Sequence, residues 1–141
     1  MRVERLSQMT KVVPLAAIAR SEGFQFLDRL IVEWTEGSNR FSQPGEAIFG
    51  AFVGEVLVGT AGITVQRDHV GRVRRVYVHP AYRRQGIAKL LMDAVLTIGR
   101  DHFTTLVLYT ETDEARNMYE RLGFVPESPE GSDHATHRLE L

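Results

Sequence analysis

The stretch Val73–Met92 constrains the fold more than any other part of this 141-residue chain. A run of β-branched and aromatic residues ends at Pro80, a basic turn containing Gly86 follows, and an apolar helical pattern begins at Ile87. This order predicts a strand, a glycine turn and a helix. Such a turn presents backbone N–H groups at the positive end of the helix dipole, which suits a polyphosphate. We expect the remaining chain to form the scaffold and substrate side of this site.

The charge distribution points to the same turn. The formal net charge of −1 gives no general attraction to nucleic acid or to an anionic membrane. Locally, the segment between Asp68 and Asp93 contains basic residues and no acidic ones. The basic residues of this block are Arg72, Arg74, Arg75, Arg83, Arg84 and Lys89. A solvated charged face is the alternative, but the adjacent glycine turn favours a local anionic ligand.

Composition excludes several other classes of protein. With no cysteine, the chain has no disulfide, no thiol nucleophile and no cysteine-ligated zinc. His134 and His137 lack a third ligand at a suitable spacing, so we interpret them as surface or edge histidines and expect no metal site. No apolar run approaches the ~20 residues that span a bilayer, and the N-terminus lacks a secretory apolar segment. We expect one domain over residues 1–141 and a cytoplasmic location.

Hydrophobic periodicity predicts an α+β fold, with a mixed, mainly antiparallel sheet flanked by helices on both faces. The predicted strands cover residues 2–6, 47–53, 56–65, 73–78, 105–109, a strand beginning at 124, and 135–141. The predicted helices cover residues 10–21, 24–36, 87–99 and 112–122.

Four local features refine this prediction. The strand–helix–strand unit around the 87–99 helix implies a parallel pair of strands. Alternation along 73–78 places Val76 and Val78 on one face of the sheet, and Arg75 and Tyr77 on the other. In the first helix we expect Thr10 as the N-cap and a buried stripe that includes Val13, Ala17 and Ile18. In the last helix we expect Thr112 as the N-cap.

Two segments resemble a known family. Arg83-x-x-Gly86-x-Ala88 is similar to the acyl-CoA-binding signature of the GNAT family of N-acetyltransferases, and the segment Ala115–Phe124 resembles that family's A-x-x-x-Y-x-x-x-G-F ending. Either pattern alone is weak because short glycine motifs recur by chance. Together, at a family-like separation, they are specific, and the resemblance covers essentially the whole chain. It implies the GNAT acyl-CoA N-acyltransferase fold.

The resemblance implies acetyl-CoA as the acyl-donor cosubstrate. Backbone N–H groups from about Arg84 to Lys89 would cradle the pyrophosphate, and Gly86 would allow its close approach. The strand before the turn would pair with the pantetheine arm, with the N–H of Val78 as the oxyanion donor. The residues implied in cosubstrate binding are Val76, Tyr77, Val78, Arg83, Arg84, Gln85, Gly86, Ile87, Ala88, Lys89 and Thr112. Thr112 stands where the family often has asparagine.

The implied reaction is direct transfer of an acetyl group, in a ternary complex, to a primary amine of a small molecule or a protein. Tyr119 occupies the family's general-acid position and would protonate the leaving thiolate. The alternative is a packed tyrosine whose hydroxyl only orients the sulfur. Some relatives carry a glutamate base at a position that is about Arg72 here. The base must therefore come from elsewhere or act through water, and its candidates are Glu111, Glu33 and His79.

The acceptor side is expected along the second helix and the loop after it. Phe24 and Trp34 lie on the apolar stripe, which favours a core position. Phe26 and Phe41 lie off it and are better candidates for substrate contact. The full set of acceptor-binding candidates is Phe26, Glu33, Phe41 and Glu111. Aromatic and acidic side chains together would suit a cationic amine.

The sequence leaves one rival function, a non-catalytic acyl-CoA-binding or regulatory module of the same fold. A nucleotide-binding P-loop is excluded because G-x-x-x-x-G-K-[ST] is absent. We expect no nucleic-acid or membrane partner, and a homodimer is compatible with the sequence.

Overall fold

The computed structural model describes residues 1–141 as a seven-stranded sheet with four α-helices. The strands are β1 (Arg2–Arg5), β2 (Ala47–Val53), β3 (Val56–Arg67), β4 (Val70–Val78), β5 (Thr105–Leu108), β6 (Val125–Pro126) and β7 (His137–Glu140). The helices are α1 (Val12–Ser21), α2 (Phe26–Glu36), α3 (Ile87–His102) and α4 (Asp113–Arg121). None of them is long and apolar enough to cross a bilayer.

The sheet has the order β1-β2-β3-β4-β5-β7-β6, and every neighbouring pair is antiparallel except β4 and β5. Helices α3 and α4 pack on one face, which we call the α3 face, through a core that includes Ile87, Leu91 and Tyr119. Helices α1 and α2 pack on the other, the α1–α2 face, around Leu15, Leu27 and related residues. The predicted mixed sheet with helices on both faces is confirmed.

The parallel pairing of β4 with β5 is short. It covers only Val70–Arg72 on β4 and Thr105–Val107 on β5. Past Arg72, β4 continues for six residues paired with β3 alone. The predicted parallel pair is therefore confirmed, and the two strands diverge immediately after it.

A bulge in β4 sets the direction of its side chains near this divergence. Arg74 lies opposite Gly62 and Tyr77 lies opposite Thr60, so β4 contains one more residue than β3 across this interval. Arg75, inside the bulge, has a left-handed φ of 58°. Val76 and Val78 contact the α3-face core and Tyr77 lies in the α1–α2 core, as alternation predicts.

Helix α1 differs from its prediction in both start and phase. It begins at Val12 after Lys11, with no side-chain cap, so the assignment of Thr10 as its N-cap is wrong. Its buried residues are Val12, Leu15, Ala16 and Ala19. These positions follow the i, i+3, i+4, i+7 spacing of a helical stripe and bury the bulky Leu15. The stripe predicted through Val13 is wrong, since Val13 is 53% exposed.

Phe41 is a core residue, so its assignment to the acceptor site is wrong. Its side chain is 1% exposed and belongs to the α1–α2 core. The physical reason is Gly62, where a Cβ atom would lie 2.8 Å from Phe41 Cε2. The missing side chain at Gly62 leaves room for the ring against the sheet.

His137 is also buried, at 2% exposure, so its interpretation as a surface or edge histidine is wrong. Both ring nitrogens have partners: Nε2 lies 2.9 Å from Glu120 Oε2, and Nδ1 lies 3.0 Å from Thr136 Oγ1. These contacts allow a polar ring to be buried between α4 and β7.

Asp133 holds the loop between β6 and β7 against the sheet. Its carboxylate accepts hydrogen bonds from Arg67 Nε at 2.9 Å and Arg138 Nη2 at 2.6 Å, and its carbonyl oxygen accepts one from Arg72. Hydrogen bonds from Arg67 and Arg138 lower the pKa of Asp133. This carboxylate is therefore a candidate for the acid sensitivity of the fold.

We expect Phe41→Ala to lower the free energy of unfolding by about 3–5 kcal/mol, because it leaves a cavity under α2. Phe26→Ala should cost clearly less, since Phe26 is only partly buried. Denaturant unfolding of both variants measures the difference. Equal losses for the two would contradict the core assignment of Phe41.

We expect Asp133→Asn to lower the free energy of unfolding at pH 7 by about 2 kcal/mol, since charged hydrogen bonds are lost. The folded-state pKa of Asp133 is depressed, so its contribution is present above the unfolded value of ~3.9 and is lost as the pH falls below it. The variant should therefore lose less stability than the parent between pH 5 and pH 2. Asp68→Asn, in the exposed β3–β4 turn, is the control, and the same acid sensitivity in the parent and Asp133→Asn would refute the assignment.

Candidate active site

The turn between β4 and α3 has a backbone shaped by two left-handed residues. After β4, residues Pro80–Tyr82 form one 3-10 turn, with His79 Nδ1 accepting a hydrogen bond from Ala81 N at 3.0 Å. Arg84 and Gly86 then adopt φ values of 64° and 79°. This conformation turns the chain directly into α3, whose N-cap, Gly86, offers no side-chain acceptor.

Six consecutive backbone N–H groups, from Arg84 to Lys89, have no hydrogen-bond acceptor in the protein. The first bond of the helix runs from Leu90 N to Gly86 O at 3.1 Å. A Cβ atom at Gly86 would meet nothing within 4 Å, so the space beside it is open. Together with the helix dipole, these free donors form a cradle for a phosphate-sized anion. The residues present therefore fit a polyphosphate.

The predicted basic residues of the turn differ in their ion pairs. Arg84 is exposed and makes none, whereas Lys89 Nζ lies 3.3 Å from Asp93 Oδ2 on the helix surface. The guanidinium of Arg83 turns away to Glu22, at 2.7 and 3.1 Å, and its Nε donates to Val78 O at 3.0 Å. Arg83 is therefore compensated inside the fold, and Arg84 carries the free charge at the turn.

Glu22, at the end of α1, joins three parts of the site. Besides Arg83, it accepts a hydrogen bond from the Tyr77 hydroxyl, and the Arg83 guanidinium lies 5.5 Å from the Tyr77 ring centroid. Arg83 and Tyr77 lower the pKa of Glu22, and burial together with Glu22 raises that of Tyr77. Sequence reasoning missed Glu22, whose only signal was a carboxylate next to the helix-ending Gly23.

The free edge of β4 leads from the cradle towards β5. His79 N donates to Val58 O on β3 at 2.8 Å. Because backbone groups alternate sides along a strand, the N–H groups of Val78 and Val76 face away from β3. The pairing with β5 has already ended there, so this side of β4 is open. The geometry leaves room for an extended ligand to pair with the strand.

Tyr119 of α4 lies in the α3-face core, which Val76 and Val78 of β4 also contact. Its ring packs against Phe124, with centroids 5.7 Å apart, and the residue is 5% exposed. The hydroxyl has no hydrogen-bond partner in the protein, yet its oxygen is not sealed from solvent. Burial raises the pKa of Tyr119, so its hydroxyl stays protonated at neutral pH.

Thr112 is the N-cap of α4, as predicted. Its hydroxyl oxygen accepts a hydrogen bond from Ala115 N at 3.2 Å. This bond satisfies one of the free donors of the helix end. The hydroxyl hydrogen of Thr112 remains available to a ligand.

A model of the acetyltransferase (GNAT) family matches residues 13–124. The chain belongs to this GNAT family. The sequence resemblance is thereby confirmed, and so is the GNAT fold. The Gly86 turn holds the residues that resemble the family's acyl-CoA-binding signature. Tyr119 lies in the segment that resembles the family's A-x-x-x-Y-x-x-x-G-F ending.

Known GNAT relatives support the assignment. A crystal structure from Exiguobacterium sp. 255-15 is 30% identical, with a TM-score of 0.86, and the match covers 99% of this chain and 92% of that one. A Bacillus subtilis strain 168 protein is 31% identical over 81 residues, which are 57% of this chain and 54% of that protein. The match thus spans about half the length of that curated relative. Both proteins are described as a "putative acetyltransferase".

A GNAT structure with a bound ligand shares the fold at lower identity. The PaiA N-acetyltransferase from Thermoplasma acidophilum, in complex with coenzyme A, is 18% identical, with a TM-score of 0.71, and the match covers 100% of both chains. At this identity the likeness concerns the fold alone.

The remaining GNAT acceptor and base candidates lie on the α1–α2 face or at the end of β5. Phe26 stacks edge-on against Tyr77 at 6.0 Å, and Glu33 pairs with Arg75 at 3.1 Å. Glu111, two residues beyond Tyr109, is exposed and raises that tyrosine's pKa. The structure therefore places Phe26 and Glu33 near the strand that bears the open edge. No group of three or more His, Asp or Glu side chains is placed to hold a metal ion.

Proposed function

We propose that this GNAT protein is an acetyl-CoA-dependent N-acetyltransferase that acetylates a primary amine of a small molecule or a protein. The observation that carries the proposal is the row of six free N–H groups from Arg84 to Lys89, which leads into the open edge of β4. The coenzyme A complex of the PaiA N-acetyltransferase, which shares the fold, supports the same donor.

The donor would bind along this surface. The free N–H groups hold the pyrophosphate, and Gly86 lets it approach the backbone closely. Arg84 and Lys89 add positive charge nearby. The pantetheine arm pairs with the outward-facing backbone of Val76 and Val78 as a short extra strand would. Arg83 acts on Val78 as a positioning residue, since it donates to the Val78 carbonyl and is itself held by Glu22.

Acetyl transfer would proceed by direct attack. The neutral amine forms a C–N bond with the thioester carbonyl carbon, and the carbonyl oxygen becomes an oxyanion. The N–H of Val78 donates a hydrogen bond to that oxygen, an interaction typically worth about 3 kcal/mol of barrier. The C–S bond then breaks, the thiolate takes up a proton, and the amine nitrogen loses one.

Tyr119 is the proposed general acid. Its raised pKa keeps the phenol protonated, and its unpartnered hydroxyl is free to donate to the leaving sulfur. A simple thiol has a pKa of ~8.5, below that of the phenol. Full proton transfer from Tyr119 to a free thiolate is therefore uphill, and the hydrogen bond is most useful while charge is developing on the sulfur.

The acceptor amine must lose a proton before it attacks, because an alkylammonium, with a pKa of ~10.4, is charged at neutral pH. This proton needs an acceptor other than Tyr119. Glu33 is held by Arg75, and His79 Nδ1 is occupied by Ala81 N. Glu111, which is exposed, and water are the remaining acceptors. Arginine side chains of β4 beside the site would lower the pKa of a bound ammonium by like-charge repulsion and favour its neutral form.

The rival function is a non-catalytic acyl-CoA-binding module. The observation that favours it is the lack of a carboxylate at Arg72, where some relatives carry their base. Thiol release measured with acetyl-CoA across a panel of amines and peptides separates the two functions. Turnover of any amine supports the enzyme, and tight binding of acetyl-CoA without turnover of any acceptor supports the module.

We expect Gly86→Glu to weaken acetyl-CoA binding at least 100-fold, because a carboxylate would occupy the anion cradle. Gly54→Glu is a matched control: Gly54 also has a positive φ, of 58°, and open space around it, but it lies in the β2–β3 turn. Calorimetry on both variants measures the effect. The control shares the backbone strain, so equal affinities in the two variants would rule out the cradle. Affinity in the parent should also weaken with salt, through Arg84 and Lys89.

We expect Tyr119→Phe to lower kcat about 100-fold with little change in the KM for acetyl-CoA, as for loss of a general acid. Stability should be unchanged because the ring packing remains and the hydroxyl has no partner in the fold. Between pH 7 and 10, the parent's kcat/KM for an alkylamine should rise as the amine loses its proton. It should show no decrease from ionisation of the Tyr119 phenol, because the pKa of Tyr119 is raised. Unchanged kcat in Tyr119→Phe would reduce its role to packing.

A further inference from the structure

Three arginines of β4, Arg72, Arg74 and Arg75, lie on the α1–α2 face, and only Arg75 pairs with a carboxylate. Arg72 donates to Gln66 Oε1 at 2.8 Å and to carbonyl oxygens of the β6–β7 loop, and Arg75 pairs with Glu33 of α2. Arg74 makes a single hydrogen bond, from Nε to Thr64 Oγ1 at 2.8 Å, and no ion pair. Its two terminal nitrogens therefore have no partner in the protein.

Arg74 lies on β4 between two arginines that reach other elements. Arg75 pairs with Glu33 of α2 and Arg72 donates to the β6–β7 loop, whereas Arg74 makes no hydrogen bond to either. The pairing of β4 with β5 ends at Arg72, two positions before Arg74. Val78 lies four positions after Arg74, at most ~13 Å along an extended strand. A molecule bound over Arg74 can therefore reach the proposed oxyanion donor.

The free protein leaves this group poorly compensated. Burial lowers the pKa of Arg74 and the charges of Arg72 and Arg75 lower it further, whereas Glu33 and Glu46 raise it in part. The carboxylate of Glu46, which faces the same side, accepts hydrogen bonds from the backbone N–H groups of Gln43 and Val65 instead. An excess positive charge at a half-buried position is unfavourable without a partner.

A second observation lies next to it. Arg75 Nε is the one buried side-chain nitrogen or oxygen of the fold that has no hydrogen-bond partner. The bulge gives Arg75 a left-handed φ and places its side chain on the same face as that of Arg74. Unpaired buried donors are rare and costly in folded proteins. Two adjacent guanidinium groups thus have donors without a partner on this face of β4.

We propose that Arg74, with Arg75 beside it, binds an oxyanion of the acceptor, so that the acceptor is an amine that also carries a carboxylate or a phosphate. Guanidinium groups match both oxyanions by bidentate hydrogen bonds. This inference rests on the proposed acetyltransferase function and replaces the cationic acceptor suggested by the sequence. Glu33, expected to attract a cation, is neutralised by Arg75.

Kinetics with matched acceptors test the proposal. Thiol release from acetyl-CoA would be measured with 4-aminobutanoate, 6-aminohexanoate, 2-aminoethyl phosphate, butylamine and 1,4-diaminobutane. We expect kcat/KM for the best anionic amine to exceed that for butylamine and for the diamine about 10- to 100-fold. The faster of the carboxylate and phosphate arms identifies the oxyanion. Equal or better turnover of butylamine or diaminobutane would overturn the proposal.

Variants of Arg74 locate the effect. Arg74→Gln should remove the preference by raising KM for the anionic acceptors, and Arg74→Lys should keep part of it. KM for acetyl-CoA should not change, and the melting temperature should be equal or higher because an unpaired charge is removed. Arg2→Gln, on the far edge strand β1, is the control. A preference that survives in Arg74→Gln would also overturn the proposal.

A binding measurement separates this proposal from failure of the enzymatic function. If no amine is acetylated, calorimetry in the presence of coenzyme A would compare 6-acetamidohexanoate with N-butylacetamide. Tighter binding of the acid that is lost in Arg74→Gln would support the oxyanion site in a non-catalytic protein. Equal binding of 6-acetamidohexanoate and N-butylacetamide would overturn it, whether or not the protein is an acetyltransferase.

Discussion

The divergence of β4 from β5 is the constraint on which the rest of the structure depends. The two strands pair only along Val70–Arg72, and β4 then continues with one edge unpaired. Free backbone donors and acceptors inside a fold are costly unless a ligand or water satisfies them. The Gly86 turn adds six free N–H groups at the start of α3. Unpaired backbone groups therefore occur at a helix N-terminus and along the nearby edge of the sheet, with the hydrogen-bonded residues 79–83 between them.

Charge compensation differs between the arginines near the Gly86 turn and those on the α1–α2 face. On the side of the turn, Arg83 is held by Glu22 and donates to the Val78 carbonyl, so the backbone N–H groups and Arg84 remain free for the proposed anion. On the α1–α2 face, Arg75 is paired and Arg74 is not. The protein thus has one set of unpaired hydrogen-bond donors at the Gly86 turn and another at Arg74 and Arg75. An acetyl donor and an amine substrate that both carry oxyanions would bind to them.

Sequence reasoning succeeded where the signal is local. The strand, the Gly86 turn and α3 are adjacent in the chain, and Thr112 caps α4 as its position before Asp113 predicts. It failed where a side chain's surroundings come from a distant segment. Phe41 looked like a loop aromatic, but the ring fills the space left by Gly62 on β3. Glu22 had no recognisable partner because Arg83 lies 61 residues away.

The sequence by itself indicated the GNAT fold, through two motifs that resemble the family's, and the position of the proposed donor cradle, because both depend on short-range patterns. Only the tertiary structure decided which charges remain free. Six basic residues looked alike in the segment after Asp68. Their environments differ because the carboxylates of Glu22 and Glu33, which come from distant elements, pair only with Arg83 and Arg75. The Val73–Met92 stretch indicated the site proposed for the acetyl donor, and only the folded structure distinguished Arg74 from the other arginines within it.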